Sequence, residues 1–166
     1  MRLRVWTRTA CEVNSVLGQK ENFVSKGMHM KTKKILIVDG AENVLIMLSK
    51  ALKAEGVEVI TTTKIEEAEY ATKSAFFDVV LADIRLTGVL GRIDLEFLRY
   101  VHEKSPETKV IIMSSYNSEE NEKETYEKGA YCYFDKPFDL RDLNEKLREI
   151  GIFNNFLRKA NYSRGS

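Results

Sequence analysis

The chain has 166 residues, 43% hydrophobic and 31% charged, with a formal net charge of +1 at pH 7. This is the composition of a globular protein with a real core in one domain of ordinary size, and so small a charge excludes a global field that recruits nucleic acid or anionic membrane. No apolar run approaches the roughly 20 residues of a membrane span, and Cys11 and Cys132, far apart and without metal spacing, read as reduced thiols in a cytoplasmic protein.

Residues 1–30 have no clear periodicity and no apolar stretch long enough for a secretory signal. They carry Arg2, Arg4, Arg8, Lys20 and Lys26 against Glu12 and Glu21. A basic contact arm is one reading. A disordered extension is preferred, with Met28 and Met30 placed to serve as alternative starts. The expected domain spans 31–151, followed by a short tail over 152–166.

From residue 33 strands and helices alternate. "KILIV" (34–38) is too short for a helix and rich in Ile and Val, as a strand buried on both faces should be. A helix follows with Val44, Leu45, Leu48 and Leu52 on one face and Gly56 as its stop. "VEVITTT" is a second strand and "KIEEAEYATKS" a second helix. "DVVLAD" (78–83) is a third strand ending in an acid. After a longer loop, "DLEFLRYVHEK" is a third helix, closed by Ser105 and Pro106. "KVIIM" (109–113) is the fourth strand, "SEENEKETYEKG" a helix capped by Gly129, and "YCYF" (131–134) the fifth strand. "DLRDLNEKLREIG" (139–151) is the last helix, with Asp139 as N-cap and Leu140, Leu143, Leu147 and Ile150 on one face.

Five such units predict an α/β fold, a flavodoxin-like doubly wound (βα)5 with a parallel sheet in the order 2-1-3-4-5. Sites in these folds lie beyond the carboxyl ends of the strands. Asp39, Asp83, Ser114 and Lys136 all stand there. Singly, each is an ordinary turn, cap or solvated residue. Together, two carboxylates, a hydroxyl and an ammonium suit a divalent cation such as Mg2+ and a phosphoryl group. One carboxylate can attack a phosphoryl donor to give an acyl phosphate, with the ammonium and hydroxyl on the phosphoryl oxygens. His29 and His102 fall outside this set and are expected at the surface.

"ILIVD", "DVVLADIRLTG", "VIIMSSY" and "YCYFDKPF", in this order and spacing, resemble the signature segments of the response-regulator receiver domain of two-component systems. The resemblance implies that Asp83 is the phosphoacceptor, Asp39 an acidic metal-site residue and the backbone carbonyl of Arg85 a further ligand. It also implies that Ser114 and Lys136 contact the phosphoryl group and that Tyr133 is the aromatic switch. Lys136-Pro137 becomes a candidate cis peptide. The implied partners are a histidine kinase or phosphotransfer protein and a downstream protein, with a homodimer also open and no direct DNA or membrane binding.

Three features depart from that pattern. Receivers usually carry two adjacent acids after the first strand, and here Asp39 is followed by Gly40 and Ala41, with Glu42 too far into the helix to be taken as a substitute. Mg2+ is therefore expected to bind more weakly, though one or two carboxylates with waters and phosphate oxygens often suffice. Thr87 stands where a proline is common, and the path from Gly88 to the third helix is a few residues longer than in that pattern. The fourth helix offers only Tyr126 as a large apolar residue, so it is expected to be held weakly or completed by a partner. Beyond Gly151, Ile152, Phe153, Phe156 and Leu157 give an apolar extension of the last helix, used for packing on the same domain in preference to dimerisation.

The expected function is a phosphoacceptor switch with at most self-phosphorylation and self-dephosphorylation as catalysis. The alternative is a phosphorylation-independent pseudo-receiver. A flavodoxin-like cofactor binder is disfavoured, because "DGAEN" lacks the serine, threonine and glycine pattern of a flavin phosphate loop.

Overall fold

The structure, a computed structural model, describes residues 31–83, 95–115 and 119–153. The backbone divides after Lys31 into two units, and the second, from Thr32 onward, contains all the elements below. In chain order they are β1 (Lys33–Val38), α1 (Glu42–Ala51), β2 (Val57–Thr62), α2 (Ile65–Ser74), β3 (Val79–Asp83), α3 (Leu95–Lys104), β4 (Lys109–Ser114), α4 (Glu119–Glu127), β5 (Cys132–Asp135) and α5 (Leu140–Glu149). The strands form one parallel sheet in the order β2-β1-β3-β4-β5. This is the order the alternation of elements implied.

Alternate strand residues face opposite sides, so the sheet carries two cores. Leu36, Val38, Val80, Ala82, Val110 and Ile112 pack on one side with Ala68 of α2 and Leu98 and Val101 of α3. Ile35, Ile37, Val79, Leu81, Ile111 and Met113 pack on the other with Leu45 and Leu48 of α1 and Leu143 and Leu147 of α5. The three inner strands are buried on both faces, which is why they read as unbroken apolar runs. The edge strands β2 and β5 keep partly exposed residues. At the opposite end from the site, Asp78 ties β1 to β3: its carboxylate accepts from Lys33 Nζ at 2.8 Å and from the Lys34 backbone N–H at 2.9 Å.

Helix ends follow the sequence with two differences. Asp139 caps α5, its side chain accepting from the Arg141 N–H at 2.8 Å. Gly129 closes α4 with φ +100°, its N–H donating to Tyr126 and that of Ala130 to Thr125, the paired bonds of a Schellman ending. Gly56, expected to stop α1, lies well beyond it. That helix ends at Ala51 with Leu52 as cap, and Gly56, at φ +74°, makes the turn into β2. Likewise α5 ends at Glu149, so Ile152 and Phe153 do not extend it. Ile152 instead folds back into the core beside Leu147, with Phe153 partly buried against it. Phe156 and Leu157 lie outside the described residues.

Candidate functional site

The carboxyl ends of the strands bring the acids and the lysine together. β1 runs into Asp39 and β3 ends at Asp83. Ser114 closes β4 opposite Asp135, which places Lys136 just beyond β5. A backbone bond from the Lys136 N–H to the Ser114 carbonyl, 2.5 Å long, fixes that last strand end. The Lys136-Pro137 peptide is cis.

Lys136 Nζ lies 2.5 Å from Asp39 Oδ2 and 2.9 Å from Asp83 Oδ2. These side chains are 18%, 1% and 12% exposed, so the three charges meet with little water among them. The other oxygen of Asp39, Oδ1, accepts the Ala41 N–H at 2.9 Å across Gly40. Asp39 is thereby held from both sides, by a lysine 97 residues away and by its own turn. Its backbone N–H also donates to the carbonyl of Thr62 at the end of β2.

Ser114 is fully buried. On the same face of the sheet, Tyr133 lies beside Ile112. Partial burial pushes the Tyr133 phenol up, and the Ser114 side chain opposes that. Burial and then the nearby Cys132 push the Tyr126 phenol up, with the Tyr133 backbone opposing them. Cys132 is a free thiol, and partial burial pushes it up as well.

Of the residues singled out from the sequence, the structure gathers Asp39, Asp83 and Lys136 in direct contact and sets Ser114 at the neighbouring strand end. Arg85 and Thr87 lie outside the described residues, so the expected carbonyl ligand is not seen. His102 is an exposed residue of α3, away from these strand ends. Glu42 is exposed at the start of α1. Sequence reading did not find the Ala41 N–H, which has no side-chain signature. The i, i+2 spacing of Asp39 and Ala41 was the available signal for an Asx turn.

The donor set fits a hard cation. Asp39 and Asp83 supply carboxylate oxygens, which suit Mg2+ when waters complete its shell. Among the described residues no group of three or more His, Cys, Asp or Glu side chains could hold a metal ion. A metal ion held there would draw on these two acids, with waters completing its shell. Mg2+ bound there would neutralise charge on a transferring phosphoryl group.

A parallel 2-1-3-4-5 sheet with helices on both faces, and with two acids and a lysine at its carboxyl edge, defines a class, the doubly wound flavodoxin-like α/β folds. The family sequence model described as the response regulator receiver domain matches residues 35–148, and the chain belongs to that family. It is 36% identical over 111 residues to the regulatory protein AtoC of Escherichia coli strain K12, covering 67% of this chain but 23% of AtoC. It is 29% identical over 121 residues to sporulation initiation phosphotransferase F of Bacillus subtilis strain 168, covering 72% of this chain and 94% of that protein. Among solved structures, a CheY-like receiver domain protein of Methanospirillum hungatei JF-1 matches with a TM-score of 0.64 and 34% identity, over 70% of this chain and 91% of the other. The beryllofluoride-activated NtrC4 receiver domain dimer matches with a TM-score of 0.64 and 27% identity, over 70% and 94%. Receiver domains generally interact with histidine kinases or phosphotransfer proteins and bind Mg2+ at an acidic phosphorylation site. Among the described residues no helix is long and apolar enough to cross a membrane.

Proposed function

We propose that this chain is a phosphoacceptor switch of a two-component phosphorelay, phosphorylated on Asp83 and acting through protein contacts in the cytoplasm. The observation that carries this reading is Lys136 Nζ placed within 2.9 Å of the Asp83 carboxylate and 2.5 Å of Asp39. The donor is a phosphohistidine on a histidine kinase or phosphotransfer protein. An Asp83 carboxylate oxygen attacks phosphorus as the P–N bond breaks, and the departing imidazole nitrogen keeps the electron pair and takes up a proton. Lys136 turns from the carboxylate to a phosphoryl oxygen, and the Ser114 hydroxyl donates to another. Asp39 and Asp83, with the Arg85 carbonyl that the resemblance implies, would hold a Mg2+ ion, bound more weakly than where a second acid is present, and the ion would supply charge neutralisation for the phosphoryl group. A shift of the Ser114 hydroxyl toward the phosphoryl group draws Tyr133 with it, which changes the face of α4, β5 and α5 that a partner reads.

A phosphorylation-independent binding module is the second reading, favoured by Gly40 in place of an acid and by an Asp39 carboxylate already engaged on both oxygens. Acetyl phosphate with and without Mg2+, read by intact mass, separates the two. The switch reading expects one Mg2+-dependent phosphoryl adduct that is lost in Asp83→Ala. No adduct on a folded chain would favour the binding module.

A further inference from the structure

We infer that Thr62 is a positioning residue for Asp39, its hydroxyl fixing the turn whose carbonyl holds the backbone of that acid. This rests on reading Asp39 as a metal-site acid of a receiver domain, and it gives β2, whose residues do not enter the chemistry, a share in the precision of the site.

Pairing between β1 and β3 stops at Val38 and Ala82, one residue short of Asp39. On the other side, β1 and β2 pair through Val38 and Thr62, and the Asp39 N–H then donates to the Thr62 carbonyl at 3.2 Å. The backbone of this buried acid is thus anchored toward β2.

Where that carbonyl points depends on the turn over residues 62–64. Lys64 is the N-cap of α2 and supplies no side-chain cap. Thr62 supplies the bonds instead. Its Oγ1 accepts the Lys64 N–H at 3.1 Å and donates at 2.6 Å to Glu67 Oε2 in the first turn of α2. The first bond closes a ring across Thr63 and fixes the Thr62 side chain against its own backbone. The second ties the same oxygen to the helix, and the Thr62 hydroxyl, then Lys64, holds the Glu67 carboxyl below the ordinary glutamate value. Branching at Cβ adds to the restraint by limiting the rotamers of Thr62. Thr62 is 9% exposed, so water competes little for its hydroxyl.

Valine at this position would keep the volume and the branching yet remove both bonds. A freed turn lets the Thr62 carbonyl swing, and Asp39 moves with the N–H that this carbonyl holds. The Asp39 carboxylate depends on the same register, because its Oδ1 must meet the Ala41 N–H two residues on.

The test is amide hydrogen exchange by NMR on the full chain, with no metal or phosphoryl donor present. The rate at the Asp39 N–H is taken relative to that at Ile111, fully buried in the inner strand β4, so that a global loss of stability cancels. Thr62→Val should raise the ratio at least about tenfold, and Thr62→Ser, which keeps the hydroxyl, less than about threefold. Glu67→Ala, at an exposed side chain, should raise it at least about threefold. Glu66→Ala removes an acid from the same first turn and should leave the ratio unchanged. An unchanged ratio in Thr62→Val, the same rise in Thr62→Ser, or equal effects of the two glutamate variants would overturn the inference. The glutamate pair decides by itself if Thr62→Val does not fold.

A second measurement reads the site. With acetyl phosphate over a range of Mg2+ concentrations, Thr62→Val should raise the concentration for half-maximal phosphorylation at least about threefold and change the saturated rate less than about twofold. Thr62→Ser should restore the original requirement. An unmoved Mg2+ requirement beside a raised exchange ratio would overturn the positioning role and leave the hydroxyl a brace of the turn only. Absence of any adduct in the unaltered chain would sink the phosphoacceptor reading, and the exchange ratios would still decide whether Thr62 holds Asp39.

Discussion

At the scale of single residues, two sites turn local chemistry into measurable behaviour. The Asp139 carboxylate takes hydrogen bonds from the Arg141 side chain and then from its backbone N–H, which lower its pKa from 3.8 to about 2. A carboxyl depressed on folding stabilises the native state fully above its unfolded pKa and loses that contribution as pH falls toward the folded value. The cap of α5 should therefore weaken between about pH 4 and pH 2. A 13C titration of the Asp139 carboxyl checks this, and a midpoint at an ordinary aspartate value would refute it. The second site is Gly129. An added Cβ there would sit 2.5 Å from the His102 ring, on a backbone already at φ +100°. At Gly56 the φ is +74° but nothing lies within 4 Å. Alanine at Gly56 should cost only the left-handed penalty, about 1–2 kcal/mol. Alanine at Gly129 should cost more, because the imidazole must also move. Urea midpoints of the two variants decide the order.

At the scale of elements, α4 and α5 differ in what anchors them. α5 buries Leu143 and Leu147 completely, and Leu147→Ala should destabilise the chain by about 2–5 kcal/mol through the cavity it leaves. α4 buries only Thr125, whose hydroxyl donates to the Glu122 carbonyl at 2.7 Å, while Tyr126, its one large apolar residue, is 43% exposed. The sequence reading of α4 as weakly held thus finds its physical basis, with the small Thr125 facing inward instead of the tyrosine. Amides of α4 should exchange with solvent well before those of α5 and β4. Comparable protection in α4 and α5 would show that capping and polar contacts hold the helix as firmly as burial.

At the scale of the molecule, the two cores share β1, β3 and β4, since alternate residues of each strand belong to opposite sides. Neither core can melt and leave the other intact. Unfolding of the described domain in urea should be a single transition, with far-UV circular dichroism and tyrosine fluorescence coincident. Separate midpoints would mean that one face opens by itself. The same sharing bears on the site, because Asp39, Asp83 and Ser114 stand at the ends of the three strands that carry both cores. The acids are set on the most firmly buried part of the sheet.

By itself the sequence determined the sheet and the residues at its carboxyl edge. Unbroken Ile and Val runs ending in Asp39, Asp83 and Ser114 have few alternatives once helices alternate with them, because a short apolar run must be covered on both faces. Asp139 and Gly129 were legible for a similar reason: caps depend on residue type and local backbone. Only the tertiary structure decided how the charges pair. Lys136 reaches Asp39 across 97 positions of chain, and no local pattern reports which of two acids an ammonium will prefer, or that it will take both. The role of Gly56 and the end of α5 were also decided there, since Ile152 gains more by folding into the core beside Leu147 than by prolonging a helix into water. Periodicity is a property of neighbours in sequence. The balance of charge at the strand ends is a property of neighbours in space, and that is why it became visible only with the fold.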